Sequence, residues 1–155
     1  MNSFSLQDER FMRRALELAG RGQGAVAPNP MVGCVIVQDE QIIAEGWHQR
    51  YGEAHAERNA VNQLEDTRQL LGCTVYVTLE PCSHYGKTPP CADLLVEHRV
   101  GRVVISNRDP NPLVNGQGIA RLQEAGIQVE TGLLEEEART LNAAFFERIV
   151  QLTRL

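Results

Sequence analysis

The sequence predicts an α/β fold, with one sheet lying between layers of helices. Three observations carry that expectation. The chain opens on an amphipathic helix pattern, two β-branched runs follow on either side of a two-residue turn, and strand-like and helix-like segments then alternate to the end.

Ser5 followed by Asp8 reads as a capping box. Leu6, Phe11, Ala15, Leu18 and Ala19 recur behind it at helical spacing up to Gly20 and Gly22. Pro28-Asn29-Pro30 is incompatible with helix and predicts a fixed loop. Met31 to Val37 is a short apolar run expected to be a buried strand, Asp39-Glu40 a turn, and Gln41 to Trp47 its hairpin partner. Helical spacing returns from Ala54 to Leu64. Cys73 to Leu79 alternates as a strand, Pro90 to Glu97 is helical, and Arg102 to Ser106 is a short strand. Gln117 to Ala125 is then helix with Gly126 as its stop, Ile127 to Thr131 strand, and Leu134 to Val150 one long helix. Neither internal repeats nor linkers interrupt this order, so residues 1–155 are expected to form a single domain.

Composition narrows the function. Fifteen Lys and Arg stand against 20 Asp and Glu, a net charge of −5, which argues against nucleic acid as the main partner. No 18-residue apolar run is present and no apolar leader precedes Asp8, so no membrane partner and a cytoplasmic location are expected. In that setting the four cysteines read as metal ligands or buried thiols before disulfides.

Two segments carry chemistry. His55-Ala56-Glu57 opens the second predicted helix, and Pro81-Cys82 through Pro90-Cys91 follows a predicted strand. One imidazole (His55) and two thiols (Cys82, Cys91) are good zinc ligands, and three protein ligands leave the fourth position that a catalytic zinc needs. Two thiolates and a neutral histidine balance the charge of Zn2+. Zinc brings the pKa of a bound water to roughly 7. Glu57 stands two residues from His55, placed to move protons without ligating the metal. This matches the H-x-E and P-C signature of zinc nucleobase deaminases, except that eight residues separate the cysteines instead of two. Cys34 and Cys73 sit in apolar strand-like runs and are expected to be small buried hydrophobes. His98, Arg13-Arg14 and Glu135-Glu136-Glu137 are expected at the surface.

Taken together, His55-Ala56-Glu57, Pro81-Cys82-Ser83-His84 and Gly86-Lys87-Thr88-Pro89-Pro90-Cys91 resemble the pyrimidine deaminases of riboflavin biosynthesis. Ala27 to Gly33 and Asp109-Pro110-Asn111-Pro112 are similar to that family's substrate loops. The resemblance runs from Leu6 to Phe146. It implies a cytidine-deaminase-like three-layer α/β/α sandwich with a central mixed sheet. It also implies a hydrolase acting on a cyclic amidine C–N bond, in which 2,5-diamino-6-(5-phosphoribosylamino)pyrimidin-4-one loses its 2-amino group as ammonia and the corresponding uracil forms. Asn29 and His48 would contact the pyrimidine, and His84, Lys87, Asp109 and Asn111 would line the ribose and phosphate end. The implied partner is a phosphorylated aminopyrimidine, with a homo-oligomer expected. The family's reductase domain is expected to be absent from these residues, as in a truncated bifunctional protein or a stand-alone deaminase.

Two alternatives stand beside this. A structural zinc site could be closed by His84 or Cys73, although Glu57 would then have no task. A cytidine or tRNA adenosine deaminase would share the ligands, and the acidic net charge disfavours the RNA substrate.

Overall fold

The computed structural model describes residues 4–83 and 89–153. Its element order is α1 (Leu6–Gly20), β1 (Gly33–Gln38), β2 (Gln41–Trp47), α2 (Ala56–Asn62), a 3-10 turn (Thr67–Leu70), β3 (Thr74–Leu79), α3 (Cys91–Glu97), β4 (Arg102–Asn107), α4 (Gln117–Glu124), β5 (Gln128–Thr131), α5 (Glu135–Leu141) and α6 (Ala143–Thr153). The strands form one sheet in the order β2-β1-β3-β4-β5. β1 pairs antiparallel with both β2 and β3, whereas β3, β4 and β5 run parallel. The sheet is therefore mixed. Asp39 and Glu40, the two residues of the β1–β2 turn, both take positive φ (52° and 66°), the twist that a tight two-residue hairpin needs.

Alternation along the strands sends side chains to two separate cores. Cys34, Ile36, Val75, Val77, Val103 and Ile105 face α2, α3 and α4 on one side. Val35, Val37, Tyr76 and Val104 face α1 and the residues leading into α5 on the other. These are the expected three layers. Cys34 and Cys73 are buried in the first core, as small hydrophobes should be. Among the described residues no helix is long and apolar enough to cross a membrane.

The capping box of α1 is present as expected. Asp8 N–H donates to Ser5 Oγ (3.0 Å) and Ser5 N–H to Asp8 Oδ2 (3.1 Å). Asp8 does more than cap: it accepts Tyr76 Oη–H at 2.6 Å and both arms of the Arg102 guanidinium at 3.0 and 3.1 Å. One carboxylate thus ties α1 to β3 and β4. Arg14 also departs from the expected bare surface, because its guanidinium clamps Glu45 of β2 at 2.6 and 3.1 Å.

Two departures from the sequence reading share one cause. The single helix expected from Leu134 to Val150 is two, α5 and α6, broken at Asn142 (φ −110°, ψ 31°). The strand expected from Met31 enters the ladder only at Gly33. Met31 N–H donates to Asn142 Oδ1 and Asn142 Nδ2 donates to Met31 O, both at 2.8 Å. Turning that buried amide inward takes Asn142 out of the helix and uses the groups with which Met31 would pair.

Burial would raise the Asp8 carboxyl, but hydrogen bonds from Arg102, Tyr76 and Ser5 outweigh it and hold the pKa at about 2, below the ordinary 3.8. A carboxyl depressed in the folded state stabilises above its unfolded pKa, and that stability is lost as pH falls through the folded value. Asp8→Asn should therefore destabilise the fold at pH 7. The gap to wild type in urea unfolding should shrink by about 2 kcal/mol between pH 5 and pH 2. A gap independent of pH would show that the Asp8 charge contributes nothing.

Candidate metal centre and active site

The site forms where the first turns of α2 and α3 meet beyond the end of β3. α2 reaches this point by lying directly on β2. A Cβ on Gly46 would stand 2.4 Å from Ala60 N and 2.5 Å from Ala56 O, so glycine is required for the approach. His55 is the N-cap of α2 in extended conformation (φ −73°, ψ 167°), and its side chain makes no cap bond. The imidazole therefore points off the helix end. Glu57 follows in the first turn and is 4% exposed.

Cys82 lies three residues past the end of β3, and Cys91 opens α3 behind an extended Pro90 N-cap. The first amides of α3 hold the earlier cysteine: Cys91 N–H donates to Cys82 Sγ (3.2 Å) and Ala92 N–H to Cys82 O (3.0 Å). His55 Nδ1 stands 3.7 Å from the sulfurs of both Cys82 and Cys91. All three atoms lie within 4.8 Å of one another. Zinc bonds of ordinary length to nitrogen and sulfur give tetrahedron edges of about 3.5–3.8 Å, so this donor set fits a zinc ion. Cys73, the alternative fourth ligand, is in the core and outside the cluster. His84, the other, lies outside the described residues.

The thiol charge of the cluster rests on Cys82. The contact with Cys91, helped by His55, lowers the Cys82 thiol to about 4 against the opposing effect of burial. The same contact, together with burial, pushes the Cys91 thiol up. His55 is raised, chiefly by its contact with Cys82. Burial, reinforced by the Cys82 charge, brings the Glu57 carboxyl up to about 7. A carboxyl poised there both takes and gives protons near neutrality.

His55, Glu57 and Cys82 line a cavity of about 320 Å³, and so do Asn29, His48, Asp109 and Asn111. Seven of the sequence-predicted residues thus share one space. His48 is buried, and its Nδ1 lies 3.1 Å from Ala54 O while its Nε2 lies 3.1 Å from Asn29 Nδ2. A carbonyl at Nδ1 fixes the proton there, so Nε2 accepts from Asn29 and the ring is neutral. Burial lowers its pKa in keeping with that state. Lys87, like His84, falls outside the described residues.

Among the further lining residues, Glu80, Phe145 and Ile149 carry no role in the sequence reading. Phe145 and Ile149 are four apart on α6 and form an apolar wall. Their spacing was visible, but only the break at Asn142 turns it toward the cavity. Glu80 had a signal, being a carboxylate that ends an apolar strand directly before Pro81-Cys82.

Comparison with known proteins agrees with this geometry. A family model described as the cytidine and deoxycytidylate deaminase zinc-binding region matches residues 5–107. The chain is 54% identical over 144 residues to the riboflavin biosynthesis protein RibD of Escherichia coli (strain K12), a match spanning 93% of this chain and 39% of that protein. It is 46% identical over 144 residues to the diaminohydroxyphosphoribosylamino-pyrimidine deaminase of Buchnera aphidicola subsp. Schizaphis graminum, spanning 93% and 97% respectively. A solved structure of RibD from Acinetobacter baumannii aligns with a TM-score of 0.88 at 51% identity, over 92% of this chain and 40% of that one. The chain spans about two-fifths of the RibD relatives it matches. With a ligand cluster of the right donors and a family match over most of its length, the chain belongs to the cytidine and deoxycytidylate deaminase zinc-binding family, alongside the diaminohydroxyphosphoribosylamino-pyrimidine deaminases.

Proposed function

We propose that this chain hydrolyses 2,5-diamino-6-(5-phosphoribosylamino)pyrimidin-4-one to 5-amino-6-(5-phosphoribosylamino)uracil and ammonia. The observation that carries the reading is the clustering of His55, Cys82 and Cys91, with His55, Cys82 and the buried Glu57 lining one cavity. The relatives named for this pyrimidine deaminase, at 46% identity or more, support the choice of substrate. Deamination alone is assigned to these residues, as one domain, and the reductase of the longer relatives is not.

His55, Cys82 and Cys91 would hold the zinc, whose Lewis acidity makes water a nucleophile near neutral pH. Water oxygen adds to the ring carbon bearing the 2-amino group. Glu57 carries the protons: one passes from water to the adjacent ring nitrogen and the other to the amine. The C–N bond then breaks, ammonia leaves and a ring carbonyl remains. Asn29 and His48 orient the pyrimidine. Because Asn29 Nδ2 is engaged by His48, its Oδ1 is the atom left to accept from the base. Asp109 and Asn111 take the ribose end, with His84 and Lys87 completing the ribose and phosphate contacts. Phe145 and Ile149 supply an apolar wall that keeps bulk water from the ring.

The direct test is ammonia release by the zinc-loaded protein, offered this substrate beside cytidine and deoxycytidylate. Preference for either cytosine compound would overturn the assignment. Glu57→Gln should keep its zinc and fold while turnover falls about 10³–10⁴-fold, since one residue serves both proton steps. Near-normal turnover with zinc bound would reduce Glu57 to a helix-start carboxylate. Lys87→Ala should lower kcat/KM by roughly 10–100-fold on the phosphorylated substrate and barely on its dephosphorylated analogue. Equal losses on both would remove Lys87 from the phosphate site.

A further inference from the structure

We infer that Glu80 is a positioning residue, whose buried carboxylate sets the substrate loop bearing Asp109 and Asn111 at a fixed place beside the Cys82 segment. The inference rests on the function proposed above for the role of that loop. Glu80 is 6% exposed and sits between the end of β3 and Pro81-Cys82. Among the described residues no arginine or lysine is bonded to it. Its partners are four backbone amides from a distant stretch of chain.

Oε1 accepts Asp109 N–H at 3.0 Å and Gly116 N–H at 3.1 Å. Oε2 accepts Gly118 N–H at 3.0 Å and Ile119 N–H at 3.2 Å. A carboxylate has about four lone-pair sites, and here each meets a donor. The Oε2 arm caps the first turn of α4, where a negative charge is favoured. A cap needs nothing more. The Oε1 arm reaches outside the helix to Asp109, where the substrate loop begins, and to Gly116, where it ends.

Between those two fixed points the loop is braced internally. Asn111 N–H donates to Asp109 Oδ1 (2.9 Å), Leu113 N–H to Asn111 Oδ1 (3.0 Å), and Asn115 Nδ2 to Asp109 O (2.8 Å). The loop is therefore a rigid unit, and the Glu80 carboxylate holds both of its ends. α4 also presses directly on the ligand segment, since a Cβ on Gly118 would stand 2.0 Å from Pro81 O. Displacing the Glu80 staple moves Asp109 and Asn111 relative to Cys82 without touching a metal ligand. Glutamine is no substitute, because its NH2 group would face two N–H donors.

The test uses Glu80→Gln and Glu80→Asp, the second keeping the carboxylate on a shorter arm. Amide hydrogen exchange at Asp109, Gly116, Gly118 and Ile119 reads the staple without any substrate. Steady-state kinetics with the phosphorylated substrate reads its consequence. The glutamine variant should keep its zinc, exchange roughly tenfold or more faster at Asp109 and Gly116, and show KM raised by about tenfold with kcat within about threefold. Such a split follows if the loop binds the ribose end uniformly and does not act at the reacting carbon. The aspartate variant should recover part of both effects, and it carries the test if the glutamine variant does not fold. Faster exchange confined to Gly118 and Ile119, with KM unchanged, would make Glu80 a helix cap only and overturn the inference. Zinc loss, or unchanged exchange at Asp109, would overturn it too. Failure of the wild type to release ammonia from this substrate would instead defeat the proposed reaction, leaving the exchange data to decide the staple.

Discussion

The site depends on one constraint: two short helices, rooted at different places in the sheet, must deliver their first turns to the same point. Contact of α2 with β2 at Gly46 leaves no space for a Cβ, which fixes where His55 leaves the helix. α3 is placed from the other side by its own amides, which bind Cys82 through both its sulfur and its carbonyl oxygen. The separations of 3.7 Å from His55 Nδ1 to the two sulfurs are the outcome. Metal bond lengths tolerate deviations of only about 0.2 Å, so such sites belong on rigid elements and not on free loops.

The same placement accounts for Glu57. In the first turn of α2, Glu57 lines the same cavity as the N-cap side chain of His55. Its burial is costly for a carboxyl, and the rise of its pKa to about 7 expresses that cost. A structural zinc site would gain nothing from it. Around this centre the neighbouring loops are held by bonds that cross large sequence separations: His48 to Asn29, Glu80 to the loop at Asp109, and Asn142 to Met31.

Those long-range bonds mark the limit of what was legible in the sequence. α1 was readable because its capping box and apolar stripe are local, and β1 and β2 because strand runs flank a two-residue turn. The ligands were readable as a set, with Glu57 and Pro81 in place around them. Asn142 left no such trace, since Leu141 and the apolar residues after it continue a helical period that only a bond to Met31, 111 residues earlier, interrupts. Glu80 shows in the sequence as a carboxylate ending an apolar strand, but its partners are backbone amides, which no residue type announces. Arg14 looked like surface because its partner Glu45 lies on β2. Periodicity reports which face of an element is apolar, whereas side-chain bonds to remote backbone report how elements are joined.

The account stands most directly on which cysteines hold metal. Elemental analysis of the purified wild type and of Cys82→Ser, Cys91→Ser, Cys34→Ser and Cys73→Ser decides it. One zinc per chain is predicted in the wild type and in the Cys34 and Cys73 variants, whose thiols lie in the core. Zinc should be lost from the Cys82 and Cys91 variants, whose sulfurs face His55 Nδ1. Full occupancy in Cys91→Ser, or loss of zinc from Cys34→Ser, would contradict the ligand assignment and the mechanism built upon it.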